Sequence, residues 1–313
     1  MRNPPLMGMP FFSGNDGEAI QLTLWIGQLN AIACSKESVI RHSGILGQIL
    51  EQSAGMLSLV SESEVLRLSP SRISDYENCP QLYKYRVIDR LPQPPSLDAE
   101  RGTLVHSVLH ELFESPRNER TPFKTAEILP SAWKSQLENK PELQEMITSE
   151  KEWLDRAQSL LDTYFNIENP TEFEATHREI HLENDFAQDV YLHGYVDRLD
   201  IAPTGEVRII DYKTGKSPKP GWEEKAFFQL RVYAFLYFRS SGVLPKLLRL
   251  IYLGDGRKVE RPVNSSDLIS VEKTLNRVAA DINNSISQEN WPAKPSRLCD
   301  WCYFKNICPA HVD

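Results

Sequence analysis

Two segments carry the residues best suited to chemistry: Gly194-Tyr195-Val196-Asp197-Arg198-Leu199-Asp200 and, after a short turn, Arg208-Ile209-Ile210-Asp211-Tyr212-Lys213-Thr214-Gly215. Pro203-Thr204-Gly205 between them reads as a three-residue hairpin loop with glycine at its left-handed position. Pairing about Thr204 sets residue 197 opposite residue 211, which makes the two carboxylates cross-strand neighbours about 5 Å apart at Cβ. The two-residue period of a strand then puts Lys213 on the face of Asp211. Adjacent carboxylates repel unless a cation or a shared proton intervenes, and Val196, Ile209 and Ile210 restrict solvent around them. A hard divalent ion, Mg2+ or Mn2+, takes oxygen ligands and keeps coordinated water. Lys213 can hold or activate that water, or stabilise charge growing on a phosphate oxygen. The implied chemistry is metal-assisted phosphodiester hydrolysis. A surface ion pair between Asp211 and Lys213 is the plain alternative on these residues alone.

Gly-x-x-Asp-Arg followed by Asp-Tyr-Lys-Thr-Gly-Lys resembles the core of the PD-(D/E)XK nuclease superfamily, in its RecB-like exonuclease branch. Gly102-Thr103-Leu104-Val105-His106 is similar to that family's Gly-x-x-x-His helix, and Gln229-Leu230-Arg231-Val232-Tyr233 to its Gln-x-x-x-Tyr element. The resemblance runs from about Leu68 to Ala310. It implies a metal-dependent DNA nuclease of repair or recombination, acting on single strands or DNA ends and associated with a separate helicase. By the same resemblance Asp197, Asp211 and His106 hold the metal, Lys213 positions or activates the attacking water, and Gln229 with Tyr233 contacts DNA or supports Lys213. Read without it, His106 is a packed core histidine or half of a zinc pair with His110, and Tyr233 fits a core position equally well. Glu179 reads as an exposed strand carboxylate rather than a further ligand. The rival function is a non-catalytic, nuclease-like scaffold subunit of a helicase–nuclease complex, for which the clustered charge of Asp197, Asp211 and Lys213 has no use. Thr214-Gly215-Lys216-Ser217 mimics the end of a P-loop, but Ile210 stands where that loop requires glycine.

Cys299, Cys302 and Cys308 lie in the last fifteen residues and Cys79 far upstream. Four thiols in this layout can close a structural Zn2+ site or an iron–sulfur cluster, and spacing alone does not choose. The layout resembles the [4Fe–4S] clamp of RecB-like nucleases, which implies a staple between the two ends of the domain; Cys34 is left over.

These groups need elements to position them. The sequence predicts a helix after Ser69-Pro70, broken by Pro92, Pro94 and Pro95, and a second over Arg101 to Glu114 with an apolar stripe. Two further helices surround Trp133 and span Lys151 to Tyr164. Strands follow at Thr176 to Glu183, Asp189 to Ile201 and Val207 to Thr214, then a helix at Trp222 to Ser240, a strand at Lys246 to Leu253 and a helix at Ser265 to Ile286. This order predicts an α/β, restriction-endonuclease-like mixed sheet flanked by helices rather than a doubly wound one.

Composition excludes collagenous, coiled-coil and wholly disordered classes: of 313 residues, 41% are hydrophobic and 25% charged. The net charge of −8 hides an asymmetry, since residues 97–200 carry 22 acidic and 10 basic side chains whereas 205–264 carry 6 and 12. Arg208, Lys216, Lys219, Lys225 and Arg231 are therefore a candidate backbone-tracking surface. Trp222, Phe227 and Phe228 among them are candidate stacking platforms, although aromatics more often fill a core. Five cysteines, read as reduced, and the lack of a signal peptide or long apolar run place the expectation in the cytoplasm. Residues 1–65 are expected to be a loosely ordered extension, with one helix around Ile40 to Leu50, and 66–313 the nuclease domain.

Overall fold

A computed structural model describes residues 65–311. The expectations for the N-terminal extension, its helix and Cys34 lie outside the described residues. The strands are β1 (Leu66–Leu68), β2 (His177–Ala187), β3 (Val190–Ile201), β4 (Val207–Lys213), β5 (Leu247–Tyr252) and β6 (Arg257–Pro262). The helices are α1 (Pro70–Asn78), α2 (Pro80–Tyr83), α3 (Leu97–Leu112), α4 (Pro122–Asn139), α5 (Glu142–Met146), α6 (Glu150–Ile167), α7 (Glu224–Ser241) and α8 (Ser265–Ser287).

The strands form one mixed sheet in the order β1-β3-β4-β5-β6, with β2 along the other edge of β3. The β3–β4 and β5–β6 pairs are antiparallel, while β1–β3 and β4–β5 are parallel. A parallel neighbour needs a crossover, and α7 supplies it between β4 and β5. Strand β4 is central and buried on both faces. Its Val207 and Ile209 enter a core shared with α1, α7 and α8, and its Ile210 and Tyr212 enter a second core shared with α3, α4 and α6. The stripe Leu104, Val105, Val108, Leu109 and Leu112 lays α3 on that second face. Its start is fixed by Ser96, whose hydroxyl accepts from the Ala99 N–H, with Asp98 and Glu100 in the first turn.

The hairpin follows the sequence arithmetic: Ile201 pairs with Val207 and Arg198 with Ile210, and Gly205 closes the loop at φ 92°. Two strands go beyond the sequence expectation. Strand β1 has three residues, and β6 is an edge strand reading Arg-Lys-Val-Glu-Arg-Pro, with charge on a solvated edge.

The irregular feature is the β1/β4 edge of β3. Strand β1 pairs with residues 190–192 and β4 with 198–201, leaving residues 193–197 without a partner on that edge. The sheet forks there, and Asp197 stands in the fork.

Candidate active site

The fork and the end of β4 bring the expected polar residues together. Asp197 Oδ2 accepts the Tyr212 backbone N–H at 2.7 Å, which ties its carboxylate to the β4 backbone between Asp211 and Lys213. Lys213 Nζ stands 2.8 Å from Asp211 Oδ2. His106 arrives on α3 from the opposite layer, with Nδ1 3.4 Å from Asp197 Oδ1 and Nε2 3.0 Å from the Tyr212 carbonyl oxygen. His106 is therefore turned into the site and not packed in the core.

Glu179 is an exposed strand carboxylate, as the sequence predicts, and it also stands beside these residues. Its residue surface is exposed, yet ligand atoms of His106, Glu179 and Asp197 all lie within 4.8 Å of one another. The β2–β3 register sets position 179 opposite 197, and Glu179 takes a left-handed backbone there, φ 45°. The β2–β3 turn alone does not reveal this, because the register shifts between Asp185 and Ala187. Counting from the turn sets residue 180, not 179, opposite Asp197.

The electrostatics are those of crowded negative charge. Burial and then the neighbouring Asp197 offset the pull of Lys213, and Asp211 is pushed up to about 6. Glu179 is raised by burial and by Asp197. Burial pulls His106 down, but Asp197 outweighs it and lifts the imidazole to about 9. Lys213 is raised because Asp211 outweighs its burial, so it is an ammonium at neutral pH.

Gln229 and Tyr233, one turn apart on α7, continue the site as a hydrogen-bonded chain. Lys213 Nζ donates to Gln229 Oε1 at 2.9 Å, and Gln229 Nε2 donates to Tyr233 Oη at 2.8 Å. The Tyr233 ring lies on Gly194, where an added Cβ would stand 2.5 Å from its Cε1. The glycine of Gly-x-x-Asp is thus a close-approach position for the ring that ends this chain.

On the other face of the hairpin Arg198, 1% exposed, fixes the backbone. It donates to Glu168 at 2.8 Å and to the Tyr212 hydroxyl at 2.7 Å, and pairs with Asp200. Glu168 also pairs with Arg249 of β5. This buried network anchors the residue between Asp211 and Lys213.

The donor set fits a hard divalent ion. Asp211 is 2% exposed, and its Oδ2 has an ionic neighbour in Lys213 but no hydrogen bond of good geometry. Carboxylate oxygens with one imidazole are what Mg2+ or Mn2+ accept.

The four expected thiols line a single pocket. Cys79 is extended between α1 and α2, φ −165°, and Cys299, Cys302 and Cys308 come from two short 3₁₀ turns. The Lys294 N–H points at Cys79 Sγ and the Ser296 N–H at Cys299 Sγ, both at 3.4 Å. Tyr85 donates to the Ile307 carbonyl at 2.9 Å, tying the same two regions.

The arginines of the basic segment are largely neutralised. Arg208 pairs with Asp200, Arg231 with Glu224, Arg249 with Glu168 and Glu260, and Arg257 with Glu223. Lys216, Lys219 and Lys225 remain exposed. Of the aromatics, Phe227 is core, Phe228 is half-buried and Trp222 is 78% exposed.

Among the described residues no helix is long and apolar enough to cross a membrane. The chain is similar to the Gene 69 protein of Mycobacterium phage D29, 24% identical over 272 residues that cover 77% of this chain and 96% of that protein. It is also similar to the crystal structure of an exonuclease candidate from Eubacterium rectale, at 12% identity and a TM-score of 0.47, covering 84% of this chain and 99% of that one. The crystal structure of SSO0001 gives 17% identity and a TM-score of 0.40, covering 84% and 95%. The family profile of the PD-(D/E)XK nuclease superfamily matches residues 67–309, which include the fork, the hairpin and the four cysteines of the pocket, and the chain belongs to that superfamily.

Proposed function

We propose that residues 66–313 form a Mg2+- or Mn2+-dependent DNA nuclease of the RecB-like exonuclease type, working in the cytoplasm in repair or recombination, with a separate helicase as partner. The observation that carries the reading is Asp211. Its carboxylate is buried and poor in donors, beside Asp197 and within reach of Lys213. A scaffold subunit has no need for so costly an arrangement, and a bound cation relieves it.

In this reading Asp197, Asp211 and His106 hold the metal, and Glu179 adds a fourth donor. When bound, a divalent ion polarises the phosphodiester and acidifies a coordinated water. Lys213, held protonated by Asp211, donates from Nζ to the attacking water or to the phosphate oxygen that gains charge. Gln229 fixes Nζ through its Oε1, and Tyr233 fixes Gln229, so both are positioning residues.

We assign the cysteine pocket to a [4Fe–4S] cluster rather than Zn2+. The resemblance to the iron–sulfur clamp of RecB-like nucleases supports the cluster, and the four thiols line one pocket able to hold it. The two N–H groups aimed at sulfur are the contacts that tune such clusters. Iron content with broad visible absorbance supports this assignment, and zinc without absorbance refutes it.

The deciding assay incubates labelled single- and double-stranded DNA with Mg2+ or Mn2+ and wild type, Asp211→Ala or Lys213→Ala. Wild type should cut, and each variant should lose about 100-fold or more. A wild type that cuts nothing, or variants with full activity, defeats the assignment.

A further inference from the structure

The β5–β6 hairpin supplies none of the site's donors, yet it grips the connection between Lys213 and Gln229. The chain leaves β4 at Lys213 and enters α7 at Glu224, and on the way Lys216, Lys219, Gly221 and Trp222 are exposed. The turn of the hairpin holds this stretch. The Leu253 N–H donates to the Lys213 carbonyl at 2.7 Å and the Gly254 N–H to that of Gly215 at 3.2 Å. Gly254 lies so close that a Cβ there would stand 2.6 Å from the Gly215 carbonyl carbon. Asp255 Oδ2 accepts the Ser217 N–H at 3.1 Å and its hydroxyl at 2.6 Å, and Arg257 donates to the Pro218 carbonyl at 3.1 Å.

The grip closes on Glu223, the residue before α7. Glu223 is 2% exposed, and its side chain does not cap the helix in the usual way. Its carboxylate instead accepts the Gly221 N–H at 2.8 Å and meets Arg257 at 3.2 Å and Arg261 at 3.7 Å, both from β6. Arg261 also pairs with Glu224 and lies 4.2 Å from the centre of the Phe227 ring, so charge docks the first turn of α7 on the sheet edge. A buried carboxylate between arginines is weak evidence for stability, and fixing one arrangement among several is the use it suits better. The arrangement at stake is that of Gln229, six residues and about 9 Å further along α7. Its Oε1 takes the Lys213 ammonium.

We propose that Glu223, held by Arg257 and Arg261, is a positioning residue for Lys213: it sets the start of α7 so that Gln229 meets Nζ. The inference rests on the nuclease reading for what Lys213 does but not for what holds it. None of the three residues is a metal ligand in that reading, and none bonds to Nζ.

The test is a double-mutant cycle between Glu223→Ala and Gln229→Ala with two readouts. The first needs no DNA: the rate at which acetic anhydride modifies Lys213, followed by mass spectrometry. Each single variant should speed that labelling about tenfold, the loss of one hydrogen bond to a charged group. The double variant should exceed either by no more than about twofold, since residues acting through one contact do not add. The second readout is cleavage. Glu223→Ala should lower kcat about tenfold with KM unchanged, and it should cost nothing further once Gln229 is alanine. Glu223→Gln, which keeps an acceptor for Gly221 and the arginines, should recover part of both losses. Arg257→Ala removes one arm only and should shift both readouts the same way, which covers a Glu223→Ala chain that does not fold. Unchanged Lys213 labelling in these variants overturns the proposal, as do effects of Glu223→Ala and Gln229→Ala that multiply. Coupled labelling in a protein that cuts nothing keeps the positioning role and defeats the nuclease reading, whereas cutting by wild type with uncoupled labelling does the reverse.

Discussion

At the scale of single residues, the site is a contest between protons and a metal for the same negative charge. His106 rises from 6.5 to about 9 in the folded chain. Its protonation therefore stabilises the metal-free fold, fully below pH 6.5 and decreasingly as pH rises through about 9. A divalent ion that takes the imidazole must displace that proton, so apparent metal affinity should rise about tenfold per pH unit across that window. Below about 6 the rise should steepen, because Asp211 also binds a proton there. Calorimetry in buffers of different ionisation enthalpy counts the protons released, and a pH-independent affinity above 6.5 removes His106 from the ligand set. Gln229 gives a second outcome at this scale. Freed of its Oε1 partner, Lys213 Nζ loses its aim, so Gln229→Ala should lower kcat about 100-fold. Metal affinity should be unchanged, and a loss of metal binding would show that Gln229 supports the fold instead.

Among elements, the close fit of β3 against α7 places that lysine. The Tyr233 ring fills the space a side chain at Gly194 would need. Gly194→Ala should cost about 1–3 kcal/mol of stability through overpacking, read as a lower melting temperature. It should also reduce kcat by disturbing Tyr233 and, through it, Gln229. A variant as stable and active as wild type means that Tyr233 moves aside freely and takes no part in positioning. The opposite face of the hairpin is stiff for another reason. Arg198, Glu168, Asp200 and Arg249 share their charges in the interior, and loss of one partner strands the others.

Across the whole molecule, the cysteine pocket joins the α1–α2 break to the C-terminal turns, a span of more than 200 residues. A cross-link over that span contributes at most about 5 kcal/mol by analogy with disulfides. With the proposed cluster as that link, Cys79→Ser should lose iron and visible absorbance and melt at a markedly lower temperature. A variant that keeps its melting temperature while losing its iron shows that the cluster is no staple. Lys294 ties this pocket to α1, since its N–H faces Cys79 Sγ and its Nζ donates to the Glu77 carbonyl.

Much of this protein was legible in the chain itself, because local rules govern the pieces concerned. Three residues at Pro203-Thr204-Gly205 set the hairpin register, which runs to Arg198 opposite Ile210 with Asp197 and Asp211 the next residues beyond it, and the order of helical and alternating segments predicts the mixed sheet. What only the tertiary structure decided depends on contacts that no local period encodes. Glu179 reaches the site through a register shift several residues away. Arg208 and Arg231 drop out of the expected basic surface because acids elsewhere in the fold neutralise them. The fork exists because the short strand β1 and the longer β4 share one edge of β3 and do not meet. That gap turns a pair of carboxylates on a hairpin into a site with an open approach.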